Sequence, residues 1–180
     1  IAPDETTFAY LRGRPHAPAI DRLAMAALAI SGNPRLRLDE HEVHKIEPCY
    51  MVDTLAALRA ELGEAQPIVL FLGADAFAGL SGWHQWRRLF ALCHIAVAGR
   101  PGCDLASAMP AALASACAHR LTVEPSDLAA GAAGQVFRHT ITQLDISASR
   151  IRELVGTGHS ARYLLPDAVL DHIERQRLYR

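Results

Sequence analysis

Two apolar runs constrain this chain more than any other feature. Pro67-Ile68-Val69-Leu70-Phe71-Leu72-Gly73 and His94-Ile95-Ala96-Val97-Ala98 have almost no polar position, and Trp83 to Leu92 between them has helical spacing. A run without alternation suits a strand covered on both faces, as in a parallel sheet; a strand with one wet face would alternate. The first run is expected as a central strand. Strand, helix and strand in that order imply a right-handed parallel crossover. The fold class that follows is α/β, a doubly wound parallel sheet whose ligands sit beyond the carboxyl ends of its strands.

Other segments fit around that unit. Helices are expected at Asp21–Ile30, well buried and ended by Ser31-Gly32-Asn33-Pro34, and at Thr54–Leu62, behind an Asp53 N-cap and stopped by Gly63. Three more follow: Asp104–His119 with a second piece from Pro110, Arg150–Val155 after a serine-rich start, and Asp167–Leu178 with Pro166 in its first turn. Thr6–Leu11, Leu36–Leu38 and Gln135–Ile141 read as further strands, and Ala129–Gly134 as a loose linker. The expectation is one domain over residues 1–180 with a C-terminal helical part from about 146 to 180.

A chain of 180 residues that is 51% hydrophobic can build its own core without disulfides or structural metals. Its net charge of -1 lacks the basic excess of a nucleic-acid binder, so small molecules are the expected partners. Cys49, Cys93, Cys103 and Cys117 form no C-x-x-C pair and read as thiols of a reducing compartment. Neither a run of about 18 apolar residues nor a secretory leader pattern is seen, so a cytoplasmic location is expected.

Chemistry has two candidate places. Gly73-Ala74-Asp75 follows the first apolar run, where such sheets bind ligands; the same residues also suit an ordinary turn with Asp75 capping a helix. Trp83 and Trp86, the two tryptophans, follow closely and can stack on a flat ring or fill the core. Ile146-Ser147-Ala148-Ser149-Arg150-Ile151-Arg152 joins a helix start, two hydroxyls and arginines, the ingredients of a phosphate site, or of plain serine capping. His41-Glu42-Val43-His44 lacks the i, i+4 spacing of helical metal ligands and reads as solvated. There is neither a G-x-S-x-G elbow nor a Walker A loop.

In order and spacing, a set of segments resembles the bacterial nicotinate-nucleotide adenylyltransferase family, whose fold is a Rossmann-like nucleotidyltransferase. The set is Arg14-Pro15-His16, Asp21-Arg22-Leu23-Ala24-Met25, Cys49-Tyr50-Met51-Val52-Asp53-Thr54-Leu55, Gly73-Ala74-Asp75 with Trp83 eight residues on, Arg100-Pro101-Gly102, Ile146 to Arg152, and the ending Leu164-Leu165-Pro166 to Arg177-Leu178-Tyr179. The resemblance implies transfer of the adenylyl group of ATP to nicotinate mononucleotide, with no protein nucleophile and with Mg²⁺ held mainly by ATP phosphates and water. It implies that Trp83 stacks on the pyridine ring and that the His84 backbone amide holds the carboxylate. Gly73, Asp75, Tyr50, Thr54 and Arg100 would complete the substrate site. Ile146, Ser147, Ser149 and Arg152 would bind ATP, with Arg152 also catalytic. ATP and nicotinate mononucleotide are then the partners, with no nucleic acid or membrane.

The chain also departs from that pattern. The family's G-G-T-F-D-P-x-H-x-G-H signature has no counterpart in these residues, and residues 1–16 resemble the second strand and its loop instead. Met51, Gly99 and Ala17 replace the family's threonine, arginine and basic residue, while Ser149 keeps a hydroxyl where threonine is common. Residues 1–180 alone are therefore expected to bind mononucleotide while scarcely turning over. The rival readings are a nucleotide-binding module with impaired catalysis, or an adenylyltransferase for another small phosphate substrate.

Overall fold

The computed structural model describes residues 16–40, 42–43, 48–99, 109–142, 144 and 146–180. The Thr6–Leu11 strand, most of the loop at 12–16, His41, His44, Arg100 to Gly102, Cys103 and 104–108 lie outside them. The described residues form two compact units, one from those within 48–142 and one from those within 16–43 and 144–180.

The first unit is a parallel sheet with flanking helices, which is the expected class. In chain order it holds α2 (Met51–Leu62), β1 (Val69–Gly73), α3 (Ala74–Ala78), α4 (Trp86–Leu92), β2 (His94–Gly99), α5 (Ala111–Cys117), β3 (Leu121–Thr122) and β4 (Val136–Thr140); α1 (Ala19–Ile30) belongs to the other unit. The strand order is β1-β2-β4-β3, with Val69 opposite His94 and Ile95 opposite Val136, so Gly73 and Gly99 finish at the same end of the sheet. Phe77, Leu80, Leu89, Ile95, Leu113 and Val136 are fully buried in the core beneath it. Each such side chain contributes roughly 1.5–3 kcal/mol on leaving water.

Among the described residues β1 is not the central strand expected of it, and β2 is the covered one. His94 to Val97 are all buried, whereas β1 is an edge among the described residues and its Phe71 is 76% exposed. An apolar run reports that a strand can be covered; its neighbours decide whether it is. The 129–134 segment is likewise no loose linker. His94 Nε2 donates to the Gly131 carbonyl (2.8 Å), and the Gln135 N–H donates to His94 Nδ1 (3.1 Å). Arg59 of α2 donates to the carbonyls of Leu92 (2.6 Å) and Ala132 (2.9 Å). Gly134 has φ +103°, and a Cβ there would meet Arg120 Nη1 at 3.1 Å, so this position needs glycine.

Several boundaries move for local reasons. Tyr50, extended at φ -109°, caps α2, so the helix starts at Met51 and Asp53 lies in its first turn, where its charge meets the helix dipole. Gly63 ends it as expected, at φ +89°. Trp83, Trp86 and Phe90 share a helical stripe, but Gln85 is left-handed (φ 49°) and α4 starts only at Trp86. Leu36–Leu38 forms no strand, and Leu36 is exposed. β3 is two residues long, too short for a periodic signal.

The second unit packs α1, α6 (Ala148–Gly156) and α7 (Asp167–Arg175) around Val155, Ala161, Val169, Leu170 and Ile173, with Met25 and Leu28 of α1 against them. α1 has no fully buried residue, contrary to the expected well-buried helix. Its Asp21 Oδ1 lies 3.0 Å from His172 Nε2 of α7. Pro166 is the N-cap of α7 and not its first helical residue. At the other end the Arg177 N–H donates to Glu174 O (3.2 Å) and the Leu178 N–H to Ile173 O (3.0 Å), the 5→2 and 6→1 bonds of a Schellman turn. Leu178 thus reaches the core from the turn, not from the helix.

Candidate active site

At the carboxyl end of the sheet, Gly73 closes β1 and Asp75 sits exposed in the first turn of α3, which has no side-chain cap. Gly73 has φ -70°, and a Cβ there would meet nothing within 4 Å. Neither backbone nor packing demands glycine, and open space lies in front of it. Trp83 follows the short 3₁₀ turn Leu80–Gly82. It is only 8% exposed, in the same core cluster as Trp86, and its Nε1 is buried without a hydrogen-bond partner. The two tryptophans are therefore alike in burial, and the wall expected to face a ligand is turned largely into the core.

His84 is exposed, and its ring stacks on Tyr50 with centroids 4.3 Å apart and planes tilted by 34°. The N-cap of α2 thereby meets the residue after Trp83, while Thr54 lies half-buried one turn into α2. This contact joins segments more than thirty residues apart, and no sequence spacing signals it. Arg100 is outside the described residues.

In the helical unit, Ser147 caps α6: its Oγ accepts from the Arg150 N–H (3.1 Å). Ile146 precedes it, exposed. One turn on, Arg152 Nη2 donates to Ser149 Oγ at 3.1 Å, as residues three apart on a helix can. Arg150 points elsewhere, pairing with Glu153 at 2.9 Å with side chains 58% and 61% exposed. Ser149, Arg152 and Glu153 line a cleft of about 570 Å³ with His16, Tyr179 and Arg180. Arg152 and Arg180 bring guanidinium groups to it, and the Glu153 carboxylate is already engaged by Arg150. Burial pushes the Tyr179 phenol up, against the pull of the Arg152 and Arg22 guanidiniums, with the Asp21 carboxylate a smaller upward push. It is a proton donor at neutral pH. The sequence reading gave Tyr179, His16 and Arg180 no role, because only the fold brings them to α6.

Among the described residues no group of three or more His, Cys, Asp or Glu could hold a metal ion, and no helix is long and apolar enough to cross a membrane. Hydroxyls and cations can hold phosphate oxygens; they are poor ligands for a hard divalent cation.

The cytidylyltransferase-like family model matches residues 1–154. Over 170 residues the chain is 49% identical to the probable nicotinate-nucleotide adenylyltransferase of Dechloromonas aromatica, covering 94% of this chain and 78% of that protein. Its identity to the protein of the same description from Pseudomonas putida is 43% over 169 residues, 94% of this chain and 76% of that one. Among solved structures, Plasmodium falciparum nicotinic acid mononucleotide adenylyltransferase complexed with APC matches with a TM-score of 0.60 at 16% identity, covering 89% of this chain and 75% of that one. The same enzyme complexed with NaAD gives 0.57 at 16%, covering 89% and 73%. These structural matches carry the fold, which is the expected Rossmann-like nucleotidyltransferase one. Identity of nearly one half along almost the whole sequence carries more: the chain belongs to the nicotinate-nucleotide adenylyltransferase family.

Proposed function

We infer that this protein transfers the adenylyl group of ATP to nicotinate mononucleotide, giving nicotinate adenine dinucleotide and pyrophosphate, a step of NAD synthesis. The observation that carries the reading is the 49% identity over 94% of the chain to a relative of that description. The α6 geometry supports it. A 5′-phosphate oxygen attacks the α-phosphorus of ATP, the bond to the bridging oxygen breaks, and pyrophosphate leaves with the electron pair. Such a transfer needs positioning and cations facing the developing charge, not a protein nucleophile.

In this reading Arg152 faces the phosphates, with Ser149 fixing its guanidinium, and Ser147 holds the helix start whose N–H groups point at an anion. Ile146 leads the chain into that turn. Mg²⁺ would arrive on ATP, held by phosphate oxygens and water, and would neutralise charge on the phosphates. Gly73 leaves room for the mononucleotide at the sheet end, with Asp75, Tyr50, Thr54 and His84 as its substrate-binding residues; Arg100, outside the described residues, is proposed for the same role from the resemblance alone. Trp83 forms the pyridine wall, which requires the indole to expose more of its face than it does here. The reaction belongs in the cytoplasm, where ATP is abundant.

The test uses the complete gene product. Dinucleotide formation from ATP and nicotinate mononucleotide is expected at an ordinary enzyme rate of about 1 per second or faster. Arg152→Lys keeps the charge but loses the planar fork, so kcat/KM for ATP should fall at least tenfold, about 1.4 kcal/mol. Arg150→Lys, at an exposed ion pair, should be nearly silent. Mononucleotide binding without product would make the protein a binding module and overturn the reading. Equal responses of the two arginines would overturn the assignment of the phosphate site.

A further inference from the structure

We propose that Tyr179 is a nucleotide-binding residue whose hydroxyl donates to a phosphate oxygen of the triphosphate engaged by Ser149 and Arg152. This rests on the phosphate reading of the α6 start. Tyr179 lines the cleft beside both residues. Its ring is half-buried against the second core, so little side-chain freedom remains to be lost when a ligand binds.

The turn that presents it is shaped for this place. The Schellman bonds after α7 fix residues 177 and 178, and both Arg177 (φ 52°) and Tyr179 (φ 66°) are left-handed, an uncommon state for side chains of this kind. The Tyr179 carbonyl lies 2.9 Å from where a Cβ on Gly156 would be. Any larger residue at 156 would push the turn off α6, because backbone, not a flexible side chain, stands in the way. Burial keeps the phenol protonated, so it can donate, against the pull of the cations around it. Arg152 and Arg22 act on the phenol, Asp21 acts oppositely, and Arg22 carries a buried Nε with no partner. A phosphate meeting this face finds guanidinium and phenolic donors together.

The experiment compares wild type, Tyr179→Phe, Gly156→Ala and Arg152→Lys in the complete gene product. KM is measured for each substrate, together with inhibition by inorganic tripolyphosphate and the thermal midpoint. Tyr179→Phe keeps the ring, so the midpoint and the mononucleotide KM should hold. The ATP KM and the tripolyphosphate inhibition constant should each rise about tenfold, in the range of one hydrogen bond to a charged group. Gly156→Ala should show the same one-sided loss. Unchanged ATP and tripolyphosphate values for Tyr179→Phe overturn the proposal; if Arg152→Lys is still impaired, the phosphate reading survives it. If both are silent, that reading falls as well. A lowered midpoint, or equal losses for both substrates, would make Tyr179 a packing residue and overturn the proposal too.

Discussion

Trp83 carries two opposed properties. Its indole is buried in the core of the sheet unit, yet its N–H has no acceptor there, and a buried unmade hydrogen bond costs about 1–3 kcal/mol. Truncating it removes a large side chain from a packed site, so Trp83→Ala should destabilise by about 3–5 kcal/mol. Trp83→Phe also deletes the orphan donor and should cost less than half as much. Chemical denaturation of both variants checks this; equal losses would mean that the N–H finds a partner in solution. The sequence could single out Trp83 by its spacing from Gly73, but burial depends on Leu80, Leu89 and other residues that spacing does not place. The Ser149–Arg152 contact was legible, since helix geometry alone puts residues three apart on one face. Tyr50 on His84, and Tyr179 beside Arg152, were not, because each joins parts of the chain far apart in sequence.

Helix ends show the same division between local and distant causes. Gly63 and the Ser147 cap could be read directly, because a left-handed glycine and a serine oxygen act on their own neighbours. The start of α4 could not: the apolar stripe continues through Gln85, whose backbone turns left-handed. At the end of α7 Arg177 holds the left-handed position that glycine usually fills. The conformation costs an L-residue roughly 1–2 kcal/mol, so Arg177→Gly should stabilise the protein by about 1 kcal/mol after glycine's greater unfolded-state freedom is subtracted. A raised denaturant midpoint with an unchanged slope is the expected result. A lowered midpoint would show that the arginine side chain contributes more than its backbone costs.

Across the whole molecule, buried ionisable groups make stability depend on alkaline pH. Burial pushes the Cys93 thiol from 9.0 up to about 12, against smaller downward pulls from a backbone hydrogen bond and Arg59. Its folded pKa is above the unfolded one, so the native state binds that proton more tightly. The contribution is complete below pH 9 and is lost as pH rises toward 12. Cys117 and Tyr179 are raised as well and act in the same direction. Denaturant midpoints should fall from pH 8.5 to 11, and less steeply in Cys93→Ala, though from a lower start because of the small cavity. Parallel slopes would show that Cys93 ionises as freely in the fold as outside it.

The sequence by itself determined the α/β class, the parallel pairing implied by strand, helix and strand, the helix around Ser147 to Arg152, and the family resemblance. All of these rest on short-range spacing or on motifs contiguous in the chain. Only the tertiary structure decided that β2 and not β1 is the covered strand among the described residues, that Trp83 turns into the core, and that Tyr179 reaches the cleft at α6. The physical reason is that burial and side-chain direction are properties of what packs against a residue. Hydrophobic pattern states what a segment can tolerate, while its neighbours, brought from tens of residues away, determine which face meets the core and which meets a ligand.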